Sequence, residues 1–187
     1  CAVGSVFASP SVDQIISAIR NGNNGSGVLC VLGNYGGDVM NFEMACEIVK
    51  SEGIETKMII VSDDIASASN EDKLKRRGIA GLIFAFKIAG ASSENGATLE
   101  EVYDLTLKAN NNLRTIGVAV SSCILPEVGK PTFELKNDEI EIGMGIHGEP
   151  GIKREKLRKA DLLVDDLCKL IFEDFELSNS DKVSIMI

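Results

Sequence analysis

Three features of this 187-residue chain predict an α/β fold with a largely parallel or mixed β-sheet covered by helices on both faces. Short apolar runs recur along the chain. Segments with apolar residues at helical spacing alternate with those runs, which is the pattern of repeated β-then-α units. A hydrophobic content of 44% over this length is enough to bury one sizeable core.

The elements follow in order. Val12 to Arg20 carries Ile15, Ile16 and Ile19 at helical spacing, and Val28 to Leu32 is a wholly apolar strand. Asp38 to Ser51 returns to helical periodicity, with Met40, Met44 and Ile48 and the adjoining Phe42 and Ala45 forming the expected stripe. Lys57 to Val61 reads as a strand ending in an acidic turn, and residues 77 to 90 as an apolar helix. Thr98-Leu-Glu-Glu101 is a capping box that opens the next helix. Thr115 to Ser121 and Glu139 to Ile146 read as strands, and Leu157 to Phe175 as a long helix. Residues 1–177 are expected to form one domain, and 178–187 to begin a following strand or second subdomain.

Composition narrows the function. A net charge of −9 disfavours nucleic acid and anionic membrane as partners, since both would be repelled. With two Tyr, seven Phe and no Trp there is little aromatic surface for stacking bases. No apolar run reaches the roughly 18 residues of a membrane span, and no charged-then-apolar leader is present, so the chain reads as cytoplasmic. The cysteines at 1, 30, 46, 123 and 168 form no CxxC pair and sit mostly among apolar neighbours, which suits buried free thiols rather than a metal site.

Two glycine-rich segments stand where strands are expected to hand over to loops, the place where α/β sheets collect ligands. The first is Gly33-Asn34-Tyr35-Gly36-Gly37-Asp38, with Asp38 at a helix start, where it could serve as an N-cap. The second runs Gly145-Ile146-His147-Gly148-Glu149-Pro150-Gly151 and holds the chain's sole histidine. A neutral imidazole is a nucleophile near pH 7, and flanking glycines leave it open to a carbonyl compound.

These segments resemble the substrate-binding subunit or domain of the dihydroxyacetone kinase family. Further matching strings are Phe7-Ala-Ser-Pro-Ser11, Gly33 to Glu43, Ser62-Asp-Asp64, Lys75 to Gly81, Lys87 to Ala91 and Gly129 to Phe133, in the family's order over most of residues 5 to 155. The resemblance implies that His147 adds to the ketone carbon of dihydroxyacetone or a similar short ketose and holds it as a hemiaminal. It implies that Asp38 exchanges a proton with the substrate hydroxyl, reversing the capping reading. Gly33, Asn34, Tyr35, Gly36, Gly37, Gly145 and Gly148 would line the substrate. No cofactor is expected on this chain, which has no Walker-type loop. ATP or ADP with magnesium would sit on a nucleotide-binding DhaL-type subunit or domain, and a homodimer is expected.

Family members carry an upstream glycine-rich segment, Gly-Gly-Gly-Ser-Gly-His-Glu-Pro, so the chain is expected to be a piece of something longer. They also commonly place lysine where this chain has Gly33, which is expected to leave room for a four-carbon ketose such as erythrulose. A branch of the family is a non-catalytic, ketose-sensing coactivator, and retention of Asp38 favours the kinase. Asp63 and Asp64 could bind a metal or pair with Arg76 or Arg77, which could in turn grip phosphate. Glu149 could orient a ligand or pair with a neighbouring base. Lys130 reads as surface, and the Glu-Asp-Phe-Glu run at 173 to 176 as a solvated helix end.

Overall fold

The computed structural model describes residues 1–126, 128–175 and 177–187. At its centre lies a parallel pair, β1 (Val28–Gly33) and β2 (Thr56–Val61), in the register Cys30 to Met58 and Val31 to Ile59. Alternation along these strands sends side chains to opposite faces. Cys30 packs on one face with Ile15, Ile16 and Ile19 of α1 (Val12–Gly22) and with Ala45 and Val49 of α2 (Gly36–Ser51). Ile59 and Val61 pack on the other with Ala85 of α3 (Leu82–Glu94) and with Tyr103 and Leu107 of α4 (Leu99–Asn111). Helices therefore cover both faces, as expected.

The helix starts have local causes. Ser11 and Gln14 form a reciprocal capping box at α1, and Thr98 and Glu101 form the expected one at α4. In α2 the expected stripe holds at Phe42 and Ala45 and fails at the other three positions: Met40 is 59% exposed, Met44 53% and Ile48 39%. Phe42, Ala45, Cys46 and Val49 share the same helical spacing, and small Ala45 and Val49 let the helix approach the sheet closely, so that face turns inward.

The second half of the chain departs from a parallel sheet. β3 (Val118–Ala119), β4 (Glu139–Ile142) and β5 (Lys153–Lys156) form an antiparallel sheet, with Ile140 opposite Glu155. β3 is much shorter than the expected 115 to 121, and β4 stops at Ile142 because Gly143 turns the chain with φ +77°. The fifth strand was not expected: Lys153-Arg-Glu-Lys156 is wholly charged and carries no apolar alternation. Arg154 pairs with buried Glu141 at 2.6 Å, so charge pairing across the strands replaces the missing apolar signal. α5 runs from Ala160 to Asp174. Residues 181–187 are exposed and form neither helix nor strand.

Candidate functional site

His147 sits at the end of the hairpin that joins β4 to β5. The base of this loop is fixed from below, where Glu141 accepts the backbone N–H of Gly151 at 2.7 Å and Ile152 donates to the carbonyl of Ile142 at 2.9 Å. Across the loop the amide of Gly145 donates to the carbonyl of Glu149 at 3.0 Å. Gly148 turns the chain at φ +93°, a conformation that a residue with a Cβ adopts only under strain. These bonds present the imidazole outward, with a third of its side chain exposed (33%).

Glu149 grips the histidine twice. Its Oε1 lies 2.8 Å from His147 Nδ1, and its Oε2 accepts the backbone N–H of the same residue. Burial pushes the Glu149 carboxyl up, but the hydrogen bond from His147 and the charge of Arg77 outweigh it, and the group titrates below the ordinary glutamate range. Arg77 Nη1 stands 3.8 Å from Glu149 Oε2. The guanidinium is itself anchored, donating to Asp64 Oδ2 at 2.8 Å through Nε and to the carbonyl of Gly143 at 3.0 Å. Burial raises the Asp64 carboxyl despite the charge of Arg77.

Gly145 has a role here that the sequence did not reveal. A Cβ at that position would lie 2.1 Å from Arg77 Nη1 and 2.1 Å from Glu149 Oε2, so the missing side chain makes room for the pair rather than for a ligand. Gly33 likewise leaves less space than expected. Its Cβ would meet the Tyr35 ring at 3.0 Å and the carbonyl of Gly78 at 3.2 Å, so the room expected for a longer ketose is occupied by the chain itself.

Two aromatic rings bracket the imidazole. Tyr35, in the turn before α2, and Phe7, in the N-terminal segment, each stand T-shaped to His147, with ring centroids 5.1 Å from its own and interplanar angles of 86° and 83°. Tyr35 thus brings the two glycine-rich segments together. Its hydroxyl is enclosed without a hydrogen-bond partner, and burial, reinforced by the charge of Glu149, raises its pKa to about 12, so it stays a neutral donor. Phe7 holds φ +56°, a left-handed backbone that costs roughly 1–2 kcal/mol in a residue with a side chain. Strain of this kind gathers at functional positions. The sequence did not single out Phe7, although it opens the Phe-Ala-Ser-Pro-Ser string.

Asp38 is half-buried in the first turn of α2. It is not the N-cap. The helix begins two residues earlier at Gly36, and Tyr35 holds the cap position without a side-chain hydrogen bond. The carboxylate therefore lies where the helix dipole favours negative charge, without serving as the cap itself. Gly36 and Gly37 form the exposed start of this turn, and a Cβ on Gly37 would lie 2.7 Å from Ser9 Oγ. The side-chain amide of Asn34 donates to the carbonyls of Leu74 at 2.9 Å and Arg76 at 2.8 Å, tying the turn to the segment that carries Arg77.

The acidic and basic turns are used internally. Asp63 accepts the amides of Ile79 and Gly81, each at 2.9 Å, together with the hydroxyl of Thr115, and Asp64 pairs with Arg77. Arg76 is fully buried against Asp174, which also receives Arg114. Asp174 is thus an inward-facing counter-charge rather than part of a solvated helix end, while Glu176 lies outside the described residues. The cysteines also differ from expectation, since Cys1 and Cys123 are exposed and only Cys30 is fully buried. Lys130 is exposed, as expected.

Fold and site together define an α/β domain that displays a single accessible imidazole beside the start of a carboxylate-bearing helix. The Dak1 domain matches residues 1–187, and the chain belongs to that family. It is 46% identical over 184 residues to the dihydroxyacetone-binding subunit DhaK of PTS-dependent dihydroxyacetone kinase 1 from Listeria innocua, covering 98% of this chain and 56% of that protein. It is 44% identical over 168 residues to the L-erythrulose 1-kinase of Mycolicibacterium smegmatis, covering 88% of this chain and 29% of that one. Among solved structures, the dihydroxyacetone kinase of C. freundii superposes with a TM-score of 0.82 at 37% identity, over 90% of this chain and 30% of its own. The dihydroxyacetone kinase operon co-activator DhaQ superposes with a TM-score of 0.82 at 32% identity, over 89% and 51%. The chain spans about half the length of the DhaK subunits that it matches. Among the described residues, no helix is long and apolar enough to cross a membrane.

Proposed function

We propose that this chain is the ketose-binding part of a dihydroxyacetone kinase. The observation that carries the reading is the presentation of His147: a partly exposed imidazole at the end of a hydrogen-bonded hairpin, with Nδ1 engaged by Glu149 and Tyr35 joining it to the turn before Asp38. The free ring nitrogen adds to the ketone carbon of dihydroxyacetone and holds it as a hemiaminal, which fixes the substrate's orientation and excludes polyols lacking a carbonyl. Asp38 accepts the proton of the terminal hydroxyl as that oxygen attacks a phosphoryl group.

The phosphoryl donor is carried by a DhaL-type nucleotide-binding partner together with magnesium. Here Asp63 and Asp64 already serve backbone amides, Thr115 and Arg77, so the acidic turn does not suit a metal. The kinship with the DhaK subunits supports dihydroxyacetone as substrate. Identity of 44% to erythrulose kinases supports a four-carbon ketose as the second reading.

Intact mass under native conditions tests this in the whole protein, with dihydroxyacetone, erythrulose and glycerol offered in turn. A ketose adduct that glycerol does not give and that His147→Ala abolishes is the expected result. No adduct with either ketone would refute the reading. Phosphate transfer in the presence of an ATP-bearing partner then separates kinase from sensor, with Asp38→Asn expected to keep the adduct and lose the transfer.

A further inference from the structure

We propose that Glu149 is a positioning residue that fixes His147 in the Nδ1–H tautomer, leaving Nε2 as the attacking nitrogen, and that Arg77 holds the carboxylate in place. This rests on the ketose-addition reading above.

A neutral imidazole has one N–H and one lone pair, and the partner of one nitrogen decides which it keeps. An ionised carboxylate can only accept, so the 2.8 Å contact between Glu149 Oε1 and His147 Nδ1 places the proton on Nδ1. The second carboxylate oxygen takes the amide of the same histidine, so backbone and ring are held by one group. Rotation is limited further by the rings of Phe7 and Tyr35, both 5.1 Å away between centroids. The carboxylate has its own support in Arg77, which Asp64 and the carbonyl of Gly143 fix in turn. Gly145 lets the two approach, because any Cβ there would stand between them.

The addition balances as follows. The Nε2 lone pair forms the bond to the ketone carbon, and the carbonyl π pair moves to oxygen. The ring is then cationic, with Nδ1–H facing Glu149. That proton passes to the Glu149 carboxylate while the new alkoxide takes one from water, and the carboxylate then returns its proton to the hydroxide so formed, giving a neutral hemiaminal with water and carboxylate regenerated. A carboxylate beside Nδ1 stabilises the cationic ring as it forms, the arrangement in which an acid orients a reactive histidine.

The test uses the whole protein labelled with ¹⁵N-histidine, with the His147 signals assigned by their loss in His147→Ala. Wild type is expected to show Nδ1 protonated and Nε2 bare. Glu149→Ala is expected to move the proton to Nε2 and to lower adduct yield at a fixed dihydroxyacetone concentration by about tenfold or more, the order expected when a partner orienting an imidazole is removed. Glu149→Gln retains an acceptor oxygen and is expected to recover part of the Nδ1–H population. It also carries the test should the alanine variant melt. An unchanged tautomer and adduct in folded Glu149→Ala would overturn the proposal. If wild type forms no ketone adduct, the ketose reading fails on its own, and the tautomer measurement still decides whether Glu149 positions the ring.

Discussion

Replacing Asp174 with asparagine removes one negative charge from a cluster holding two guanidinium groups. The side chain of Arg76 is 1% exposed, that of Arg114 11% and that of Asp174 13%, so water screens the cluster little. Asp174 Oδ1 accepts Arg76 Nη1 at 2.8 Å and also receives Arg114, whose guanidinium stacks 4.7 Å from the Phe175 ring. Asparagine keeps the volume but offers one acceptor oxygen and turns an NH₂ group toward donors. Leaving buried charge uncompensated in this way costs about 3–5 kcal/mol. At ~2–4 °C per kcal/mol for a chain of this size, that is a melting temperature lower by roughly 6–20 °C. Arg76 keeps the carbonyl of Ala68 at 2.9 Å and Arg114 that of Leu113 at 2.7 Å, which favours the lower part of the range.

Urea unfolding is the assay, with the midpoint expected to fall at an unchanged slope. The pH dependence adds a second criterion. Hydrogen bonding by Arg76, with help from Arg114, outweighs burial and holds Asp174 below the ordinary aspartate range. A carboxyl with a lowered folded pKa contributes stability that is fully present above its unfolded value, about 3.9, and lost as pH falls through the folded value. The difference between wild type and Asp174→Asn is therefore complete at neutral pH and closes only in acid below about pH 4. A loss under about 1 kcal/mol at pH 7, the range of exposed ion pairs, would refute the buried-cluster account.

Gly145→Ala forces a methyl group into the gap between Arg77 and Glu149. It is expected to abolish ketose adduct formation while far-ultraviolet circular dichroism stays unchanged, and a variant that binds ketose normally would show that the gap has no part in holding His147. Cys30 and Cys46 face each other at 4.0 Å, and their contact lowers the pKa of the more accessible Cys46 while it raises that of Cys30. Iodoacetamide is expected to label Cys46 with a rate profile that rises at lower pH than that of an ordinary thiol and moves upward in Cys30→Ala, as followed by peptide mass.

The sequence by itself determined the α/β class, the strands β1 and β2, the capping box at Thr98 and the prominence of His147. Each rests on local information: an apolar run, a spacing of three, or a glycine flank readable in a few consecutive residues. It did not determine which face of α2 turns inward, because two faces carry apolar residues and only the approach of the sheet chooses Ala45 and Val49 over Met40 and Met44. It hid β5, whose charged residues are paid for by partners on the adjoining strand and carry no apolar period. It began the second helix at Asp38, a residue type common at helix starts, whereas the turn closed by Asn34 and Tyr35 starts the helix at Gly36. The tertiary structure alone joined His147, Glu149, Arg77 and Asp64 into one chain of contacts, and it alone set Phe7 and Tyr35 against the imidazole. The physical reason is sequence distance: Asp64, Arg77 and Phe7 are remote from residue 147 along the chain, and charge pairs and ring contacts between such positions exist only after β1, β2 and the antiparallel sheet have brought their loops to the same end.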